Sequence, residues 1–242
     1  MNRMISVFVA FCFQSGAFSV ASAGSLQTST VSLDINAPAA ASAIVLRNTG
    51  QEPISAQVRV FSWRQNQGRE ELVPTEEVAA SPPLATLEPG RDYTVRIVRL
   101  AGRKVEAEEA YRLLVDELPG ATSAPGLGVK FALRYSIPVF FGPASRHSNS
   151  INWSAQFERD ALKLIATNGG NRHVRIASLK LTNENGEVVV ARNGLFGYVL
   201  SGSSMTWTLL AGSFKSAGSH LILSAQSDHG PINADVAVQR SP

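Results

Sequence analysis

An all-β chain of two sandwich-type domains is predicted by three observations: apolar segments with a period of two, turn signals at short intervals between them, and one abrupt composition change in mid-chain. The alternation is clearest in "SAQVRVFSW", where Ala56, Val58 and Val60 alternate with Gln57, Arg59 and Phe61, as a half-buried strand requires. Turns such as "NTGQEP" and "EPGRD" come at the intervals expected of a β-sandwich. The change falls at "FGPASRHSNSINW", residues 141–153, where Gly142, Pro143 and a run of serines and asparagines interrupt the apolar pattern.

Taken in order, the chain opens "MNRMISVFVAFCFQSGAFSVASAG": Arg3 precedes an apolar run, and Ala21 and Ala23 stand at cleavage-type spacing. This is the pattern of a secretory signal peptide cut after Ala23. Gln14, Ser15 and Gly16 interrupt the run well short of the roughly 20 apolar residues that a spanning helix needs, so no stable membrane anchor is expected. Removal of residues 1–23 takes away Arg3 and lowers the net charge from +3 to +2, which argues against a nucleic-acid partner. It also takes away the only cysteine, Cys12, so an exported protein is expected to fold without disulfides or thiol ligands.

Strands are then expected in "VSLDI", "AIVLRNTG", "ISAQVRVFSW", "YTVRIVRL", "YRLLVDELPG" and "GVKFALRYSIPVFF", the last covering residues 128–141. These form a first domain over residues 24–142, followed by a linker at 143–146. Strands resume in a second domain, 147–242, with "WSAQFERDALKLIATN", "VRIASLKLTN", "GEVVVA", "FGYVLSG", "SMTWTLLA", "HLILSAQSDHG" and "NADVAVQ". "NENGE" around Gly186 reads as a hairpin turn between two of them. No exact repeat relates the two halves.

Catalytic and metal-binding patterns are missing from the sequence. His147, His173, His220 and His229 are scattered singly, without partners at metal-ligand spacing, and read as surface histidines. There is no phosphate-cradling loop, nucleophile elbow or H-E-x-x-H helix. The pairs Glu70/Glu71, Glu76/Glu77 and Glu108/Glu109 would point apart and read as solvated loop charges. "NWS" at Asn152 matches a glycosylation acceptor, a short pattern that arises often by chance. The absence of these motifs does not by itself exclude an enzyme, but neither enzymatic activity nor a cofactor is expected.

In "GVKFALRYSIPVFF", Val129, Phe131, Leu133, Tyr135 and Ile137 share one face of a strand. Periodicity leaves two readings open: plain core packing, or a sticky row at a sheet edge of the kind proteins normally disguise. Pro138 suits an edge, where a missing amide donor does least harm.

Three segments, in order, resemble the PapD-like periplasmic chaperones of the chaperone-usher pilus pathway: "SPPLATLEPGRDYTVRIV" at 81–98, "EEAYRLLVDELPG" at 108–120, and the strand above with its "PVFFGP" ending. "AIVLRNTGQEPISAQVRVFSW" and "LSAQSDHG" extend the resemblance, and "VFSWRQ" and "VPTEEVAASPP" are similar to the archaic branch that serves spore-coat-U-like pilins. The resemblance implies two immunoglobulin-like β-sandwich domains set at an angle around a cleft. It implies a periplasmic location, pilin subunits and an outer-membrane usher as partners, and donor-strand complementation as the mechanism. Val129, Phe131, Leu133, Tyr135 and Ile137 would then be the donor residues, and exposed edges would also allow self-association.

Most members of that family hold the subunit's terminal carboxylate with an arginine on the first strand and a lysine near the end of the donor strand. Here the aligned positions carry, approximately, Ser32 and Pro138, neither of which is basic. Arg96 is the first candidate to replace them, followed by Arg134 and Lys130; each also reads as an ordinary basic residue on an exposed strand face. The alternative function is a secreted two-domain immunoglobulin-like adhesin or carbohydrate-binding module. An exported hydrolase has no supporting constellation.

Overall fold

A computed structural model describes residues 25–118, 132–145, 148, 150–158, 161–210 and 218–240. Every regular element among them is a strand. In the first domain these are β1 (Leu26–Thr28), β2 (Leu33–Asn36), β3 (Ala41–Asn48), β4 (Ile54–Asn66), β5 (Arg69–Pro74), β6 (Val78–Ser81), β7 (Leu84–Leu87), β8 (Asp92–Arg99), β9 (Glu109–Leu118) and β10 (Arg134–Gly142). One sheet runs β1-β3-β8-β6; the other runs β2-β10-β9-β4-β5, with β7 also paired to β4. The chain thus changes sheets between β1 and β2. β5, β6 and β7 lie in a region where the sequence pattern had marked no strands.

Side-chain alternation accounts for the packing. Ile44 and Leu46 of β3, Val95 and Ile97 of β8, Tyr111, Leu113 and Val115 of β9, and Ile137, Val139 and Phe141 of β10 fill the space between the sheets. Each of these is at most 2 % exposed. At roughly 1.5–3 kcal/mol for each large apolar side chain, burial on this scale stabilises a sandwich without disulfides.

The second domain contains β11 (Ile151–Glu158), β12 (Ala161–Asn168), β13 (Val174–Thr182), β14 (Val188–Val199), β15 (Ser204–Leu210), β16 (His220–Ser227) and β17 (Gly230–Arg240). They form a continuous order, β14-β13-β16-β17-β11-β12-β15, folded over a core that includes Leu162, Leu164, Ile176, Leu181, Leu221 and Leu223. "NENGE" is the turn from β13 to β14, and Gly186 takes φ +81°, a conformation that favours glycine. β14 and β15 are the terminal strands of this order, and β15 is bridged at Met205 to Gly68 of the first domain.

The halves share a device that sequence comparison does not reveal. Asn48 at the end of β3 donates to the Glu52 and Leu87 carbonyls and accepts from Gly50 N–H. Asn168 at the end of β12 donates to the Arg172 and Val199 carbonyls and accepts from Gly170 N–H. Both side chains are buried and satisfied, and each ties a turn to a distant strand.

Candidate functional site

Polar and aromatic contacts join the two domains at one end of the β2-β10-β9-β4-β5 sheet. Trp63 and Phe140 of the first domain form a buried cluster with Tyr198 and Leu200 of the second. Gln65 donates to the Tyr198 carbonyl at 2.8 Å and accepts from Leu200 N–H at 2.9 Å, as a neighbouring backbone would. The β4–β5 turn also reaches across, with Gly68 accepting from Thr206 N–H at 3.2 Å. A Cβ at Gly68, where φ is +73°, would lie 2.5 Å from Thr206 Oγ1, so a side chain here would force the domains apart.

Two acidic and histidine readings are corrected at this junction. His173 is 5 % exposed, lies flat on Phe140 with ring centroids 3.6 Å apart, and is no surface histidine. Its N–H and Nδ1 lie 2.7 and 2.8 Å from Glu108 Oε1, which is equally buried rather than solvated. Glu109 points the other way, as adjacent strand residues do, into a network with Arg99, Arg103, Tyr111 and Glu77. Burial acts most strongly on Glu109 and against its ionisation, but the hydrogen bonds and charge of Arg99, the charge of Arg103 and the Tyr111 hydroxyl together hold its carboxyl below the ordinary value. The fold spends these charges on structure.

Above the junction, the outer face of the same sheet is arranged in cross-strand rows set by register. Phe140 pairs with Ala110 nearest the second domain; the next row is Pro138, Arg112 and Phe61; then come Ser136, Leu114 and Arg59; then Arg134, Asp116 and Gln57. β2 pairs with β10 only at Val139–Gly142. Among the described residues, therefore, Arg134–Pro138 has a neighbour on the β9 side alone, and its other edge is open.

Of the five donor positions, Val129 and Phe131 lie outside the described residues. Leu133 and Tyr135 are half-buried against the first domain's core, and the Tyr135 hydroxyl donates to the Leu26 carbonyl at 2.7 Å. Ile137 is 2 % exposed and belongs wholly to that core. The row thus grades from core at Ile137 toward the sandwich rim at Leu133.

The three anchor candidates are not brought together. Arg96 stands exposed on the outer face of the other sheet, beside Ala41, Ser42, Ala43 and Thr94, on the far side of the sandwich from Pro138. Arg134 is ion-paired to Asp116, which also accepts from Arg59 at 2.6 Å. Lys130 lies outside the described residues.

Arg112 escaped sequence reasoning and is directly across from Pro138 on β9. Its guanidinium carbon lies 3.6 Å from the Trp63 ring centroid and 5.5 Å from that of Tyr198. Burial lowers its pKa, with the Glu70 charge acting in the opposite sense. Arg112 forms no ion pair among the described residues. A partly desolvated cation without an ion pair favours a carboxylate ligand.

Among the described residues, a two-domain all-β fold thus presents an open strand edge beside a cation that forms no ion pair. The family described as "Pili and flagellar-assembly chaperone, PapD N-terminal domain" matches residues 25–146, and the chain belongs to it. The fold is similar to CsuC in the CsuC-CsuE chaperone-tip adhesion subunit pre-assembly complex from archaic Csu pili of Acinetobacter baumannii, with 23 % identity and TM-score 0.68 over 90 % of this chain and 100 % of that one. It is also similar to the E. coli chaperone DraB, with 20 % identity and TM-score 0.59 over 88 % and 97 % of the two chains. A third similar structure is the Salmonella enterica SafA pilin in complex with the SafB chaperone, with 17 % identity and TM-score 0.61 over 88 % and 97 %. No curated protein matches the chain.

Proposed function

We propose that this chain is a non-enzymatic periplasmic chaperone of the archaic branch, which binds pilin subunits by strand addition and passes them to an outer-membrane usher. The carrying observation is the unpaired edge of β10 over Arg134–Pro138. Backbone groups alternate in direction along a strand. Leu133 O accepts from Glu117 N–H on the β9 side, so Arg134 and Ser136 present their N–H and C=O to the open edge. Pro138 shares that phase, and its missing donor costs β10 no bond to β9.

A subunit strand laid along this edge would meet Val129, Phe131, Leu133 and Tyr135 as its apolar row. Ile137 closes the row with its side chain in the first domain's core and its backbone groups toward β9, where it would hold the end of the donor segment in place. Each side chain fully buried contributes roughly 1.5–3 kcal/mol, enough to hold a subunit yet replaceable pocket by pocket at the usher. Arg112 supplies the carboxylate anchor that Pro138 cannot, from one strand over in the same row. The neighbouring complexes, a chaperone with a tip subunit and a chaperone with a pilin, support this reading. Residues 1–23 supply the export signal, and the +2 charge of the remaining chain suits a protein partner.

Coexpression with a candidate pilin tests the assignment. Phe131→Ser combined with Leu133→Ser is expected to cut subunit recovery at least about tenfold, the loss of roughly 1.4 kcal/mol or more. Unchanged recovery would remove β10 as the donor.

A further inference from the structure

The Arg112 guanidinium lies against aromatic rings from both domains, Trp63 of the first and Tyr198 of the second. Trp63 is 2 % exposed, with Phe140 tilted against it at 5.9 Å and Tyr198 edge-on at 5.4 Å and 80°. Its Nε1 has no hydrogen-bond partner, so the indole is oriented by packing alone. Tyr198 is brought to this point by β14, whose end is tied to Gln65 through the two backbone hydrogen bonds described above. A guanidinium lying on an aromatic ring keeps its N–H donors in the plane, free at their edges for a bidentate carboxylate.

We propose that Trp63 and Tyr198 are positioning residues that hold the Arg112 guanidinium flat and unpaired, so that the second domain is part of the carboxylate subsite. This rests on Arg112 being the anchor. The consequence is that subunit capture depends on domain docking: loosening Tyr198 releases Arg112 to rotate and lowers preference for a free chain terminus, without touching the donor edge. A purely structural role for the aromatic cluster would instead lower stability and leave that preference intact.

Titration of the full chain with N-acetylvaline and with its amide, followed on the Arg112 Nε–H resonance, separates these cases. The unaltered chain is expected to bind the acid roughly fivefold or more tighter than the amide, as a charge-assisted contact requires. Tyr198→Leu is expected to lose most of that preference with an unchanged circular dichroism spectrum, and Tyr198→Phe to retain it. If Tyr198→Leu does not fold, Tyr198→Met keeps the volume without the ring and carries the same expectation. A full preference in a folded Tyr198→Leu or Tyr198→Met variant overturns the positioning role and leaves Arg112 as anchor. Equal binding of acid and amide by the unaltered chain overturns the anchor itself.

Discussion

Along β10, Val139–Gly142 is held on both edges and both faces, whereas Arg134–Ser136, among the described residues, is held on one edge and one face. The first segment pairs with β9 and β2, and Phe140 lies under His173 and the second domain's cluster. The second segment pairs with β9 alone and turns Arg134 and Ser136 to solvent. One strand thus anchors the molecule at one end and, among the described residues, has an open edge at the other. In the proposed function, the first segment is free to be buried, whereas the second has to stay accessible.

The sharpest way to break this contrast is Phe140→Ala, which empties the centre of the held segment. It is expected to destabilise the protein by about 3–5 kcal/mol in urea unfolding, the range for a buried aromatic truncated in a core. A cost below about 1 kcal/mol would mean that the interdomain cluster is not packed as described. Glu108→Ala comes next: it leaves the buried His173 N–H without its acceptor and is expected to cost about 1.5–3 kcal/mol in the same assay.

The open segment should respond least. Arg134→Ala removes an exposed partner from Asp116 and is expected to cost under about 1 kcal/mol. Its signature is in pH dependence. Burial acts to raise the Asp116 pKa, but hydrogen bonds from Arg59 and Arg134 outweigh it and hold the carboxyl below its ordinary value. That stabilisation is therefore complete above the ordinary value of about 4 and lost as pH falls through the lower folded value. Acid melting curves of Arg134→Ala and the unaltered chain should converge toward low pH; a constant gap would contradict the pairing.

Much of the fold was legible because strand alternation follows from burial on one face. "SAQVRVFSW" and "YTVRIVRL" became β4 and β8, and Gly90 and Gly186 mark the expected turns. The pattern fails where a second body covers the outer face. From Ile137 to Gly142 every residue is buried, so period two disappears where the second domain docks. Short, polar β5 had no apolar alternation to announce it.

The site was only partly legible. The proposed donor strand stood out in sequence, but Arg112 in "YRLLVDEL" looks like any outward strand cation. Its position across from Pro138, and the stacking on Trp63 from a strand almost fifty residues earlier, depend on cross-strand register. Arg96, the first anchor candidate by sequence, lies on β8 in the opposite sheet, a separation that its local pattern does not record. Glu108 and His173 acquire a role only when two domains meet, which no local pattern records.

Amide hydrogen exchange along β10, in the free chain and in its complex with a pilin subunit, tests the central claim most directly. The open-edge account predicts fast exchange at Arg134 and Ser136 in the free chain, protection of both in the complex, and protection of Phe140 and Gly142 in both states. Arg134 and Ser136 already protected in the free chain, or still fast with the subunit bound, would contradict it.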